Sequence, residues 1–494
     1  MSLESALLRA TAGIRHTSRQ MEATSQNVAN AGVEGYTRKT VRGEQSAAGV
    51  RSSTPQRDVD RSLRTEARGA RGEAAAASLR ADVLGPLAEL QGAPADGASL
   101  GGQIGSLRDR LTELRANPND TAAQAEALGV AKDVAAQLND LSGAITRSRQ
   151  SVQDGLRTDV DTANALLRDV AALDKQARAM RSAGLDDAGL LDRRDAAIGQ
   201  LSELIGVTPA EGRNGELTLI LQGGAVLPLE ENGSPLGIAD AVIAPGSYYG
   251  APAGTLPGLT LNGIPLSDVP RGGRIGAGLE LRDETLPRMT AELDTLATTM
   301  AGRLSEQGLT LFTDNDGSAP PAAGSAAAVG FGGRMIVNPD VAAKPALLRD
   351  GTSDVPAFPP NPDNQAGYTK LLDRVLDYAF GNQRAAGVPH AAIPGTGLGP
   401  DGTLTASFSP PRALLDYAAA LTSAHAKEAS DAAAEEMTTA SLSTQINALV
   451  QKREGVDVDA EMASMVTLQN AYTANARVIS AIQSMWDALM GMVR

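Results

Sequence analysis

The chain has 494 residues, of which 42% are hydrophobic and only 3% aromatic, so much of its packing is between small side chains along helices. Its length suits about three domains, and the absence of cysteine excludes disulfides, thiol catalysis and any cysteine-ligated zinc or iron–sulfur site. A net charge of −14 argues against a nucleic-acid partner, which needs a basic face, and suits a protein that stays apart from its copies until assembly.

The first helix is expected from a Ser2 cap to about Val28, with Leu3, Leu7, Ala10, Ile14, Thr17, Met21, Thr24 and Val28 at heptad steps. Asn27, Asn30, Gly32 and Gly35 mark its end, because Asn and Gly tolerate positive φ past a helix terminus. Tyr36–Val41 and Val50–Val59 read as extended. Helix returns at Arg61, with Leu63, Leu79, Val83, Leu87 and Leu90 on one face, and stops in a loop over Gly92–Gly97. Ser99 caps the next helix, which ends near Asn117-Pro118. A long helix follows from Thr121 to about Met180, with Val130, Val134, Leu138, Leu141, Ile145, Val152, Leu156 and Val160 at coiled-coil spacing. Another is expected over Asp192–Ile205.

At Gly206 the texture changes to short strands. Leu217–Leu221, Ala225–Leu229 and Leu259–Leu261 are punctuated by Asn214-Gly215, Gly223-Gly224 and Asn262-Gly263, the dipeptides that favour tight hairpins. Helical spacing resumes over Ile275–Arg303 through Leu279, Leu281, Leu286, Met289, Leu293, Leu296, Met300 and Leu304. A second insert, from about Gly308 to Pro411, is rich in Pro, Gly and Ala. It is helical only at Tyr368–Phe380, with surface loops at Ala319–Ala328 and Phe358–Pro362. Helix returns over Ala413–Arg453, and Gly455 divides it from the last one.

That last stretch, Val456–Val493, has no glycine or proline before Gly491. Val458, Met462, Met465, Leu468, Tyr472, Ala476, Ile479, Ile482, Trp486, Leu489 and Val493 recur at steps of three and four, one apolar stripe on one helix. The rod would be roughly 55 Å long. Such a stripe must be buried against something, and the first helix offers the matching surface. A membrane-surface helix would carry a basic polar face, yet Arg477 is the only basic residue here before Arg494. A core helix of an ordinary globular domain fits the pattern as well. The expected fold is α+β and multidomain: a coiled-coil-like bundle of long helices built from both chain ends, with inserted β-rich modules. Its segments are 1–60 and 456–494 as the inner layer, 61–206, 275–307 and 412–455 as the helical rod, a β-rich insert at 207–274, and the second insert at 308–411.

Several chemical motifs fail their context tests. Gly97-Ala98-Ser99-Leu100-Gly101 fits G-x-S-x-G, but a loop precedes it where a strand is required, so Ser99 reads as a cap. Gly397–Gly402 fits G-x-G-x-x-G with no strand before it and a proline inside, and reads as a turn. Asp314-Asn315-Asp316-Gly317 is out of register for a calcium loop and also reads as a turn. His16, His390 and His425 are too scattered for a metal site. Asp192-Arg193-Arg194-Asp195 reads as a helix cap with a solvated charged face. No catalytic residue, cofactor or metal is expected. The N-terminus has no apolar secretory core, and no run of eighteen apolar residues exists.

Ser25-Gln26-Asn27-Val28-Ala29-Asn30, followed by Gly35-Tyr36-Thr37-Arg38, resembles the N-terminal signature of the flagellar rod, hook and hook-associated protein family. Val456-Asp457-Val458-Asp459-Ala460-Glu461-Met462 through Ile479 resembles its C-terminal partner. Leu114–Pro118, Leu191–Asp195 with Gln200–Val207, and Gly272–Leu279 with Leu281-Arg282-Asp283 are similar to the hook-associated protein 1 branch. The resemblance implies a structural subunit at the hook–filament junction, assembled as a ring with its terminal helices in the inner layer. It implies ordering of the termini on assembly, uncleaved export through the flagellar type III channel, and an extracellular place in the flagellum. Implied partners are other copies, the hook protein, hook-associated protein 3 and an export chaperone on the C-terminal helix, with no nucleic acid and no membrane. The interaction residues expected are Leu3, Leu7, Ile14, Met21, Asn27, Asn30, Gly35 and Tyr36 at one end, and Met462, Met465, Leu468, Tyr472, Ile479, Ile482, Trp486 and Leu489 at the other. The alternatives are another axial rod or hook protein, a secreted hydrolase with its site in 308–411, and a globular binding module with helical ends.

Overall fold

The computed structural model describes residues 3–46, 49–93, 97–212, 215–250, 254–266, 272–352 and 359–492. The expected Ser2 cap, Asn214, Phe358 and Val493 lie outside them. Helix α1 (Leu3–Ala29) ends where expected, and Gly35 supplies a positive φ of 77° in the following turn. Two short antiparallel ladders follow, β1 (Lys39–Thr40) with β4 (Gln56–Arg57) and β2 (Gly43–Ser46) with β3 (Gly49–Ser52).

The helical body is built from α2 (Arg61–Gln91), α3 (Leu100–Ala116), α4 (Thr121–Ser182) and α5 (Ala188–Leu204). The first three start at side-chain caps. Asp60 accepts from the Ser62 and Leu63 amides, Ser99 from Gly102, and Asp120 from Ala122 and Ala123. Ser99 is therefore the cap expected of it. Helix α5 begins about a turn earlier than expected, because Asp186 accepts from the Ala188 amide at 2.9 Å. Asp192 consequently sits inside the helix and not at its mouth.

Two antiparallel sheets follow α5. One joins β5 (Val207–Glu211), β6 (Leu217–Leu221) and β7 (Val226–Leu227); Leu217, Leu219 and Leu221 alternate into the core. The other joins β8 (Leu236–Gly237), β9 (Thr260–Leu261) and β10 (Ile264–Pro265), the last two through Asn262 and Gly263 at φ of 53° and 79°. Buried polar groups of α4 anchor this region. Asn164 exchanges hydrogen bonds with the Leu236 backbone, and Arg149 donates to the carbonyls of Ser247 and Arg282.

The chain then enters α6 (Gly273–Glu280), one π-helical turn (Leu281–Thr285) and α7 (Leu286–Glu306). Every residue from Met289 to Thr298 is buried, so α7 is enclosed on all sides and forms the centre of the body. The 308–411 segment wraps it with β11 (Phe312–Thr313) paired to β12 (Ile336–Val337), the short helices α8 (Pro339–Ala343), α9 (Leu347–Asp350) and α10 (Lys370–Arg374), and two hairpins. These hairpins are β13 (Gln383–Ala385) with β14 (Val388–Pro389), and β15 (Thr396–Leu398) with β16 (Leu404–Thr405). The expected Tyr368–Phe380 helix is α10 continued by a π turn over Val375–Ala379. Phe312, Phe331, Leu348, Leu371 and Phe380 share one hydrophobic cluster with Leu107, Leu138, Leu201 and Leu293. Two acids on α7 stitch this segment to the centre. Glu292 accepts from the Ser407 amide and His425, and Asp294 accepts from the Gly330 and Gly332 amides. Burial pushes the Asp294 carboxyl up to about 6, against those two amides and Arg334. The glycines of Gly397–Gly402 turn the β15–β16 hairpin, and Gly317 closes a tight turn on Asp314.

Helix α11 (Leu414–Glu454) packs along α2, and α12 (Val458–Met492) follows after Gly455. Among the described residues no helix is long and apolar enough to cross a membrane.

Gly273 is the tightest joint between the sheets and the central helix. Its φ is +73°, and a Cβ there would lie 2.6 Å from the Leu204 carbonyl carbon. Gly273→Ala is expected to destabilise the body by at least about 1 kcal/mol, read as a lowered thermal midpoint. An unchanged midpoint would contradict that geometry.

Candidate functional site where the chain ends meet

Helices α1 and α12 run antiparallel, since Asn27 meets Glu461 while Gly13 lies against Asn475. Asn27 is the hub of the contact. Its Nδ2 donates to the Lys39 carbonyl at 3.0 Å and to Glu461 Oε2 at 3.2 Å. Its Oδ1 accepts from the Tyr36 hydroxyl and the Lys39 amide, each at 3.0 Å. An amide side chain has two donors and two acceptor sites, so Asn27 is saturated although almost wholly buried. Burial, then the Asp192, Asp186 and Glu461 charges, push the Tyr36 hydroxyl up to about 12, so it stays a donor even in mild alkali. Lys39 Nζ lies 4.4 Å over the Tyr36 ring.

The segment leaving α1 is laid across the α11–α12 joint. The Arg38 amide donates to the Glu454 carbonyl at 2.8 Å, and Arg38 Nε to Glu461 Oε1 at 2.6 Å. Glu454 also accepts from the Asp60 amide at 2.8 Å and from Arg64 Nε at 2.7 Å. The two signatures quoted from opposite ends of the sequence therefore meet in space.

A second layer ties this joint to α5. Asp192 Oδ1 accepts from the Thr37 hydroxyl at 2.6 Å and from Arg57 at 3.2 Å. Asp195 accepts from Arg57 at 2.8 Å and pairs with Arg64; Arg194 pairs with Asp174 at 2.9 Å and Glu211 at 3.0 Å. Burial alone would raise the Asp195 carboxyl, but Arg57, Arg64 and Arg194 outweigh it and hold it below the ordinary range. This corrects the reading of Asp192–Asp195 as a cap with a solvated face. Asp192 and Arg194 are buried, because α5 starts earlier and turns them into the body.

The apolar residues divide between two directions. On α1, Leu3, Ile14 and Met21 are half-buried, while Leu7 is exposed. On α12, Ile482 is buried and Met465, Leu468 and Ile479 are half-buried, whereas Met462, Tyr472, Trp486 and Leu489 are exposed. Trp486 and Leu489 lie in line with Leu468, Ile479 and Ile482, but Gly13 already faces Asn475, so the last turns of α12 run past the described start of α1 and every residue from 483 to 492 is exposed. Val458, Val466, Val478, Met485, Met490 and Met492 are exposed as well, an unusually apolar surface for a folded helix. Asn30 bonds back to the Gln26 carbonyl, and Gly35 lies exposed in the turn. A groove of about 420 Å³ opens between the two ends, lined by Gln20, Thr24, Thr40, Ser464, Thr467 and Leu468.

Sequence reasoning missed the partners Arg57, Arg64, Glu454 and Glu461. One signal was available: Glu461 stands beside an otherwise apolar stripe, where a carboxylate needs a specific partner. Among the described residues no group of three or more His, Asp or Glu is placed to hold a metal. His16 bonds to Ser52, His390 to the Tyr378 carbonyl, and His425 to Glu292 and Gln91.

Residues 89–318 match the model of the flagellar hook-associated protein FlgK helical domain, and residues 451–492 match that of the flagellar basal body rod FlgEFG protein C-terminal segment. Flagellar hook-associated protein 1 of Bacillus subtilis is 27% identical over 225 residues, 42% of this chain and 44% of that protein. Its namesake in Salmonella typhimurium is 24% identical over 237 residues, 46% and 42% of the two chains, and that of Escherichia coli K12 is 22% identical over 234 residues, 45% and 42%. The matches thus span less than half the length of these relatives. A solved structure described as the flagellar hook junction protein FlgK from Burkholderia pseudomallei is 24% identical, with a TM-score of 0.41, covering 52% of this chain and 46% of that one.

Two predictions follow the geometry. Asn27→Ala leaves the Tyr36 hydroxyl and Glu461 without their buried partner, so faster hydrogen exchange is expected in both α1 and α12; unchanged protection in α12 would show that Asn27 does not couple them. Asp195 has a depressed folded pKa, so its contribution is present above the ordinary carboxylate pKa and is lost as pH falls through the folded value. Asp195→Asn should be less stable than the parent at pH 7, the gap narrowing below about pH 4. Denaturant titration across that range checks the sign, and a gap that widens in acid would refute it.

Proposed function

We propose that this chain is a member of the flagellar hook-associated protein family and a structural subunit of the hook–filament junction. It self-assembles through its terminal helices into a ring. The observation that carries this reading is the pairing of the two terminal signatures in one buried polar clamp, with the apolar outer side of α12 left uncovered. A helix held at its base and bare along its outer side suits heterologous contacts repeated around an axis. Ala471, Ala474 and Ala476 let a neighbouring helix approach closely.

In this reading Leu7, Met462, Tyr472, Trp486 and Leu489 contact neighbouring subunits, and Asn27, Asn30, Gly35 and Tyr36 fix the turn that sets the angle of α1. The neighbours are other copies, the hook protein and hook-associated protein 3. Before assembly an export chaperone covers the apolar side of α12, and the chain leaves uncleaved through the flagellar type III channel. Residues 61–455 are carried outside this inner layer. The role is structural and uses no catalytic residue.

Deleting residues 456–494 is expected to abolish filament attachment in cells, scored by electron microscopy of the hook tip. Filaments that still attach would overturn the junction role. Trp486→Ala should weaken assembly by about 2 kcal/mol or more, as for a buried aromatic anchor, while circular dichroism of the isolated chain keeps its parent spectrum.

A further inference from the structure

Beside the clamp, α2, α5 and the β5–β6 hairpin enclose a cavity of about 170 Å³. That space equals the liquid volume of roughly five or six waters. Five arginines line it, Arg57, Arg61, Arg64, Arg68 and Arg194, against two carboxylates, Asp195 and Glu211. Both carboxylates are already committed. Asp195 serves Arg57 and Arg64, while Glu211 serves Arg61 and Arg194; outside the lining, Asp192, Glu454 and Asp174 also pair with Arg57, Arg64 and Arg194, which leaves Arg68 as the lining arginine to be accounted for.

Arg68 has no carboxylate within ion-pair distance among the described residues, and its bond to the Thr65 hydroxyl is 3.1 Å long. The Nε atoms of both Arg68 and Arg194 are buried without an acceptor. Burial pushes the Arg68 guanidinium down from its ordinary value, against the Asp195 and Glu454 charges, and the neighbouring Arg64 adds to the lowering. A buried donor without an acceptor is costly, and a guanidinium fork matches the oxygen spacing of a phosphate or sulfate.

We propose that this arginine-lined cavity binds a small inorganic oxyanion of the phosphate or sulfate type, which completes the charge pairing between α2 and α5 behind the clamp. The oxyanion supplies acceptors for the two orphan Nε–H groups. It also offsets the charge of Arg68. Because arginine stays protonated throughout the accessible pH range, binding needs no protein proton.

The test uses the full chain and inorganic phosphate, titrated at constant ionic strength against chloride. The expected result is a saturable rise in thermal midpoint, with matching heat in calorimetric titration. Arg68→Gln should bind phosphate roughly tenfold more weakly, yet keep or raise its midpoint in chloride, since it removes an unpaired cation. Arg61→Gln, whose side chain is 82% exposed, should also weaken phosphate binding, with little change of midpoint in chloride. A rise that never saturates and is equal in parent and both variants would be general salt exclusion, and would overturn the site. So would the absence of any heat or midpoint change in the parent.

Discussion

One buried amide, Asn27, decides where the two ends of this chain can go. It spends every donor and acceptor it has on the Lys39 backbone, the Tyr36 hydroxyl and the Glu461 carboxylate. A slide of α1 along α12 would carry the amide away from Glu461. The contact therefore fixes the register of α1 on α12, which apolar packing between alanine-rich faces specifies only weakly. Polar groups that are fully satisfied select one arrangement in this way, since each alternative leaves a buried donor or acceptor unpaired.

Around that amide the charges are arranged in depth. Arg38 and Arg64 reach the α11–α12 joint at Glu461 and Glu454, and Arg57 and Arg64 carry the linkage on to Asp195 in α5. Arg57, Arg64 and Asp195 each hold at least two partners, so the loss of one pair leaves the ion with another, whereas withdrawing a whole side chain strands the buried charges around it. The end segments are thus held by the same side chains that brace α2 against α5. Past Glu461, α12 has no comparable polar anchor among the described residues, and its outer side is apolar and open to solvent.

Much of the fold was legible from spacing alone. The 62-residue α4, the enclosed α7 and the division at Gly455 all follow from helical periodicity, caps and breakers, and the β9–β10 hairpin from Asn262-Gly263. What spacing could not show was charge pairing over long sequence distances. Glu461 and Arg38 are 423 positions apart, and nothing local to either names the other. The error at Asp192 had the same origin. A start one turn early converts a surface acid into a buried one, and only the tertiary partners Thr37 and Arg57 reveal it. The division of the α12 stripe into covered and exposed residues was likewise hidden, because it depends on how far α1 reaches along α12.

The single tryptophan of the chain, Trp486, stands on the uncovered C-terminal side of α12, past the described start of α1, with 53% of its surface exposed. Its fluorescence reports directly on whether that side is free in the isolated chain and covered in the assembly. The account predicts a water-exposed emission open to acrylamide quenching in the isolated chain, shifting to the blue and becoming shielded when subunits assemble. Emission that is already shielded in the isolated chain, or that stays unchanged on assembly, would contradict it.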